Sequence, residues 1–303
     1  MHPCDDGPVG SGLEPSMQRT MAERAPWRAA LGVFLCAWLL RVVIALALPT
    51  IYHPDETYQT MEQAHRLVFG YGIVPWEYEY GVRSWVFPGF LAGLMQLSRL
   101  FGEGPFAYQT LVTVVMAAVS AGAVLCAFLW GRRLYGTAGG IIASLVPMVA
   151  PELVLLGPKT LTEVVGSHLL IIGLYLAFPG FVSESRLRAV AAGLVLGTAM
   201  VLRLHLVTGL AVIGIVMIRD WPWQRVVLAT LGGAASVLVL GGLVDWWTWG
   251  TPFFSHFQNF RLNILYGVAD TFGIWGWYFY LGLLLLSWGM MTLVILAFAG
   301  LGS

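Results

Sequence analysis

The chain has 303 residues, of which 58% are hydrophobic and 11% charged, with sixteen basic residues against sixteen acidic ones. Soluble domains carry about 25% charged residues, so an ordinary soluble globule is excluded. The zero net charge excludes the basic footprint of a nucleic-acid binder. Cys4, Cys36 and Cys126 form no CxxC motif and no Cys/His cluster, which excludes a disulfide or metal framework.

Residues 1–27 are polar and lack apolar periodicity, which predicts a disordered cytoplasmic tail. Arg19, Arg24 and Arg28 beside the first apolar block set that orientation. The block at 28–49 is too long for a signal-peptide core and is expected to stay as the first transmembrane helix. Residues 50–105 collect acids, histidines and aromatics, and predict a large outer loop. The remainder, 106–303, reads as a transmembrane bundle with apolar blocks at 106–131, 134–150, 161–179, 188–202, 204–218, 226–248 and 278–300. In that arrangement Arg132, Arg133, Arg186, Arg188, Arg219 and Arg225 all fall on the cytoplasmic side, as the positive-inside rule requires. Keeping that agreement makes 84–101 a helix lying along the membrane surface, with Trp85, Phe87, Phe90, Leu94 and Leu97 toward lipid or protein. Trp-rich patches at 246–249 and 275–277 fit interfacial belts.

Inside the loop, Pro54 suits a first helical position, and Asp55 and Glu56 suit a helix N-terminus. A helix to about Phe69 aligns Asp55, Gln59, Glu62 and Arg66 on one face, with a Glu62–Arg66 pair, and Gly70 ends it. Lys159, Arg203 and His205 lie at outer helix ends, where cations are costly and often functional. Arg41, in the outer half of the first block, is expected to snorkel to the headgroups. Glu163 and Asp245 sit near outer ends of blocks, where they are expected to bind or to hold loop structure. No third ligand is spaced to make His53 and His65 a metal site.

The segment from His53 continues with Gln59, Glu62, His65, Gly70, Trp76-Glu77-Tyr78, Arg83-Ser84 and Pro88, in that order. It resembles the signature of the GT-C glycosyltransferase family of dolichyl- and polyprenyl-phosphate-mannose-dependent α-mannosyltransferases, which build N-glycans and GPI anchors. Val74-Pro75 replaces the Thr usual before the Trp, and Gly276 the Pro before Trp277-Tyr278-Phe279-Tyr280. Lys159-Thr160-Leu161-Thr162-Glu163 and Asn263-Ile264-Leu265-Tyr266 resemble further family elements. Known members are longer, so the chain is expected to correspond to their N-terminal portion.

The resemblance implies an all-α, polytopic, GT-C-like helical bundle whose first outer loop holds juxtamembrane helices and the catalytic carboxylates, Asp55 as base with Glu56 beside it. It implies substrate binding by His53, Gln59, Glu62, His65, Trp76, Glu77, Arg83, Lys159, Glu163, Arg203 and His205. The donor would be a polyprenyl- or dolichyl-phosphate sugar, with mannose transferred by inversion to a glycan or glycolipid hydroxyl. No metal or other cofactor is expected, because a lipid-phosphate donor needs no clamp on a nucleotide pyrophosphate. The bilayer is the remaining partner. The outer loops lack Asn-x-Ser/Thr sites, which favours a bacterial inner membrane over the ER membrane of the eukaryotic relatives. Two rival readings stand beside this one, a non-catalytic membrane subunit and a lipid-linked sugar transporter, although the paired interrupted helices of transporters are not visible.

Overall fold

A computed structural model describes residues 15–102, 104–178 and 185–289, and every regular element among them is helical. Among the described residues, three helices are long and apolar enough to cross a bilayer: Trp27–Ala47, Pro105–Val149 and Trp223–Trp249. With the shorter apolar helices they make an all-α, integral membrane protein.

The first helix, α1 (Pro15–Ala47), begins ahead of the expected boundary, so residues 15–27 are helical rather than irregular. Residues 1–14 of the expected tail lie outside the described residues. The expected blocks at 106–131 and 134–150 are the two arms of α5 (Pro105–Val149), broken at Tyr135 and Gly136. Gly136 sits at φ +71, where a side chain would be strained. An ideal Cβ on Gly140 would lie 2.7 Å from the Phe128 carbonyl, and one on Gly131 2.5 Å from the Ala143 Cβ. The arms therefore fold back on each other as a hairpin.

Arg41 is where the expectation fails most clearly. It does not snorkel; it is 1% exposed. Its Nε donates to Ser120 Oγ at 2.9 Å, its Nη2 to the Pro147 carbonyl at 2.6 Å and its Nη1 to the Ala37 carbonyl at 3.1 Å. Ser120 lies on the first hairpin arm and Pro147 in the last turn of the second. The last carbonyls of a helix have no partner of their own and carry the negative end of its dipole, and a guanidinium answers both needs.

Four elements build the loop after α1: a π-turn (Glu56–Met61), α2 (Glu62–Phe69), α3 (Trp76–Glu79) and α4 (Val86–Ser98). Helix α4 buries Phe87, Leu91, Ala92 and Met95 against Ala64 of α2 and Val112 and Met116 of α5. Phe90 and Leu97, on its other face, are exposed. The expected Glu62–Arg66 pair is replaced by one contact to the loop and one within α2. Glu62 Oε1 accepts the Ile73 N–H at 2.8 Å, and Arg66 Nη1 donates to Gln63 Oε1 at 2.6 Å. Gln63 is fully buried and spans the loop, donating to the carbonyls of Tyr58 and Ile73.

Helices α6 (Pro151–Leu156), α7 (Thr162–Ala177), α8 (Arg186–Leu202), α9 (Val207–Asp220) and α10 (Trp223–Ser236) follow. Helix α10 runs through a second π-turn (Val237–Leu243) into α11 (Val244–Trp249). Then come α12 (Phe254–Asn259), a third π-turn (Phe260–Leu265) and α13 (Trp277–Trp288). The last expected block, 278–300, is described only as far as 289.

The tightest crossing is between α8 and α10. An ideal Cβ on Gly193 would lie 1.9 Å from the Ala229 carbonyl oxygen, and one on Gly197 2.7 Å from that of Gly233. In lipid no hydrophobic force drives helices together, so close backbone approach through small residues four apart supplies the association. A side chain here has nowhere to go. Gly193→Val should lower stability by about 1–3 kcal/mol, the cost of overpacking. Gly214→Ala, whose Cβ would meet nothing within 4 Å, should be neutral. Melting of the detergent-solubilised protein, followed by size-exclusion chromatography, separates the two.

Candidate active site

The loop geometry splits the Asp55-Glu56 pair. Consecutive helical residues point about 100° apart. Glu56 is buried, and its Oε1 accepts the Tyr52 N–H at 3.0 Å and faces Lys159 Nζ at 3.4 Å. Lys159 also donates to the Thr50 carbonyl. Behind them Thr60 and Thr160 both donate their hydroxyls to the Glu56 carbonyl, at 2.6 and 3.1 Å. Glu56 and Lys159 thus fasten the start of the loop to the segment after α6, and neither lines the cavity that Asp55 faces.

That cavity has a volume of about 870 Å³. Six residues expected from the sequence line it: His53, Asp55, Gln59, Trp76, Glu77 and Arg83. The Asp55 side chain is 32% exposed, with Oδ1 3.5 Å from His53 Nδ1. The Asp55 N–H donates to the same nitrogen at 3.2 Å, so His53 orders the turn that presents the carboxylate. Across the cavity Gln59 Nε2 donates to Glu77 Oε1 at 2.7 Å, and the buried Glu77 is itself part of the cavity wall. Tyr78 supports this wall, its hydroxyl donating to the Gln59 carbonyl at 2.9 Å and its ring packed edge-on against Trp85. Burial pushes the Tyr78 phenol above its ordinary range.

Gln59 and Arg83 also line a smaller adjoining pocket that contains Arg203, Thr162 and Asn259. Arg203 is paired with Glu163, Nη2 to Oε1. The Arg83 Nε is buried and has no hydrogen-bond partner. Burial, then repulsion from Arg203, hold the Arg83 guanidinium below its ordinary pKa, against the pull of Glu77, Glu163 and Asp55.

Three expected residues stand apart. Glu62 is spent on the Ile73 amide. His65 sits in an aromatic nest with Phe69 and Tyr71, ring centroids 4.4 and 5.0 Å away. His205 is exposed in the short turn Leu204–Leu206 and lines neither cavity.

A second segment closes the site. Asp245, fully buried, accepts the Ser84 hydroxyl at 3.1 Å, the Ser255 N–H at 2.9 Å and the Ser255 hydroxyl at 2.6 Å. Gln258 Nε2 donates to the Tyr80 carbonyl at 3.1 Å. These bonds dock residues 254–266 on the first loop and bring Asn263 to the cavity, its Nδ2 donating to Asn259 Oδ1 at 3.2 Å. Sequence reasoning gave Asn263 and Tyr58 no role. The one available signal for Asn263 was its place in the Asn-Ile-Leu-Tyr element.

Comparison with known proteins places the chain in a family. Residues 32–303 match the model of the Alg9-like mannosyltransferase family, and the chain belongs to that family. It is similar to GPI mannosyltransferase 3 of Yarrowia lipolytica, 28% identical over 261 residues, covering 84% of this chain and 51% of that protein. The same-named protein of Drosophila melanogaster is 28% identical over 256 residues, covering 83% of this chain and 44% of its own length. GPI alpha-1,2-mannosyltransferase 3 of Mus musculus is 33% identical over 85 residues, 27% of this chain and 16% of that protein. The chain spans about half the length of the first two relatives. No solved structure matches.

The Glu56–Lys159 tether is open to a double-mutant test. Lys159→Ala strands a buried carboxylate and should cost on the order of 3 kcal/mol. Adding Glu56→Gln removes the stranded charge and should restore much of that loss. Melting temperatures of the two single variants, the double variant and the unchanged protein give the coupling.

Proposed function

We propose that this member of the Alg9-like mannosyltransferase family transfers a hexose, mannose by its kinship, from a polyprenyl-phosphate carrier to a hydroxyl of a glycan or glycolipid. The observation that carries the reading is the half-buried Asp55 carboxylate at the wall of an 870 Å³ cavity that also holds Glu77 and Arg83. An attacking hydroxyl must lose its proton as it bonds to the anomeric carbon, so one carboxylate must come within hydrogen-bond reach. Asp55 faces the cavity beside His53 and suits that role, whereas its neighbour Glu56 is engaged by Lys159. The leaving group is a lipid phosphate that departs already ionised, so it calls for cationic support rather than a strong acid. Attack and departure in one step invert the anomeric carbon. A single phosphate offers no pyrophosphate for a metal to bridge, and the reading requires no cofactor. Glu77, with Gln59, is suited to grip hydroxyls of the sugar, and Trp76 to stack on its apolar face.

The basic connections support an orientation with 50–105 and 249–277 on the outer side and 132–133, 184–188 and 219–225 in the cytoplasm. The missing Asn-x-Ser/Thr sites favour a bacterial plasma membrane.

Asp55→Asn keeps the size of the side chain and removes the base, so transfer should fall by about 10²–10⁴-fold. The protein should remain inserted and fold normally. The assay is release of radiolabelled mannose from polyprenyl-phosphate mannose in membranes, with and without acceptor. Wild-type turnover in the Asp55→Asn protein would remove this loop from the chemistry.

A further inference from the structure

We propose that Arg83 is the anion-binding residue of the cavity and receives the phosphate that joins the sugar to its lipid. The inference rests on the transferase reading and deepens it. A buried polar group in a folded protein has a hydrogen-bond partner, and a buried charge has a counter-ion, because leaving either bare costs free energy. The other cations around the site each hold at least one acceptor, although the Nε of Arg203 is itself buried without a hydrogen bond. Lys159 holds Thr50 and Glu56, Arg203 holds Glu163, and Arg66 holds Gln63. Arg83 does not. Its Nε is buried without a hydrogen bond, and among the described residues its guanidinium makes no ion pair.

The placement of Arg83 says what is missing. It lines both the cavity of Asp55 and the adjoining pocket of Arg203. Arg203 repels it, and its environment penalises the charged form. An anionic group entering between the two arginines would satisfy both the bare Nε and the repulsion. The planar guanidinium fork matches phosphate oxygens with two parallel hydrogen bonds.

The reaction increases that demand. The acceptor oxygen bonds to the anomeric carbon, its proton passes to Asp55, and the carbon–oxygen bond to phosphate breaks with its electron pair left on the phosphate oxygen. A phosphodiester of one negative charge becomes a phosphomonoester of two. Arg83 therefore gains interaction energy along the reaction, which is the condition for lowering the barrier rather than only tightening binding. The sequence marked Lys159, Arg203 and His205 as outer-end cations for substrate binding. Lys159 has its partners within the loop, and His205 is exposed outside both cavities.

Two properties of an unpaired charge give the test. Arg83→Gln removes a half-buried cation whose Nε is bare and which makes no ion pair among the described residues, so the ligand-free protein should melt at the same temperature or higher. An arginine with a structural role would give a lower one. Polyprenyl phosphate, without sugar, should raise the melting temperature of the unchanged protein. Arg83→Gln should weaken that binding and the kcat/KM for donor by on the order of 10–100-fold, the range for a charged hydrogen bond. Arg83→Lys should recover part, and the KM for acceptor should not move. Unchanged polyprenyl-phosphate binding in Arg83→Gln, or a fall in ligand-free stability, overturns the assignment of Arg83 alone. No polyprenyl-phosphate binding by the unchanged protein overturns the donor reading and this inference with it.

Discussion

The ion pair between Glu56 and Lys159 is the contact on which the geometry of the cavity depends. It ties the first turn of the loop to the segment between α6 and α7, and the Tyr52 amide and Thr50 carbonyl complete the knot. With Glu56 fixed inward, backbone geometry turns Asp55 outward toward the cavity. A catalytic carboxylate has to be held to within a fraction of an ångström, and groups on rigid elements with packed neighbours meet that need better than free loops. Glu56 Oε2 is buried without a partner, a strain that the tether on its other oxygen holds in place.

The same logic extends across the site. Three buried or half-buried carboxylates are each committed to one junction. Glu56 fixes the loop to the bundle, Glu163 fixes Arg203 at the end of α8, and Asp245 joins the first loop to residues 254–266. Breaking a buried pair is costly because it strands a charge, so each junction resists slippage in a protein whose helices gain nothing from hiding apolar surface in lipid. Asp55, Glu77 and Arg83 are left with capacity to spare, and all three line one cavity.

How much of this was legible follows from the range of the interactions. The apolar blocks are local features, and α7, α8 and the α10–α11 run appear within a few residues of where hydropathy predicts them. The family signature likewise marked six residues that the fold gathers around one cavity. Arg41 was not legible, because its partners Ser120 and Pro147 are about eighty and a hundred positions away. A lone arginine near the end of an apolar block reads as a snorkeling one until the hairpin of α5 is known. The α8–α10 crossing was within reach, since Ala189, Gly193 and Gly197 repeat every four residues, but such a stripe names no partner helix. Asn263 reached the cavity only through Asp245, a link that no local pattern contains.

The π-turn accounts for where Glu62 and Arg66 lie relative to Asp55 and Gln59. Spacings of four, three and four place Asp55, Gln59, Glu62 and Arg66 on one face if the helix is α-helical throughout. Residues Glu56–Met61 instead form a π-turn, which takes up one extra residue and rotates everything after it by about 100° relative to the α-helical register. Asp55, just before that turn, and Gln59, within it, stay on the cavity. Glu62 and Arg66, after it, turn away from the cavity, Glu62 to clamp the Ile73 amide and Arg66 to bond Gln63 of its own helix. The Thr60 and Thr160 hydroxyls sit on the Glu56 carbonyl inside that turn and help to hold the distortion. A matching π-turn, Phe260–Leu265, carries Asn263 on the opposite wall. Two irregular turns thus face one cavity, and the first of them decides which residues of the loop reach it.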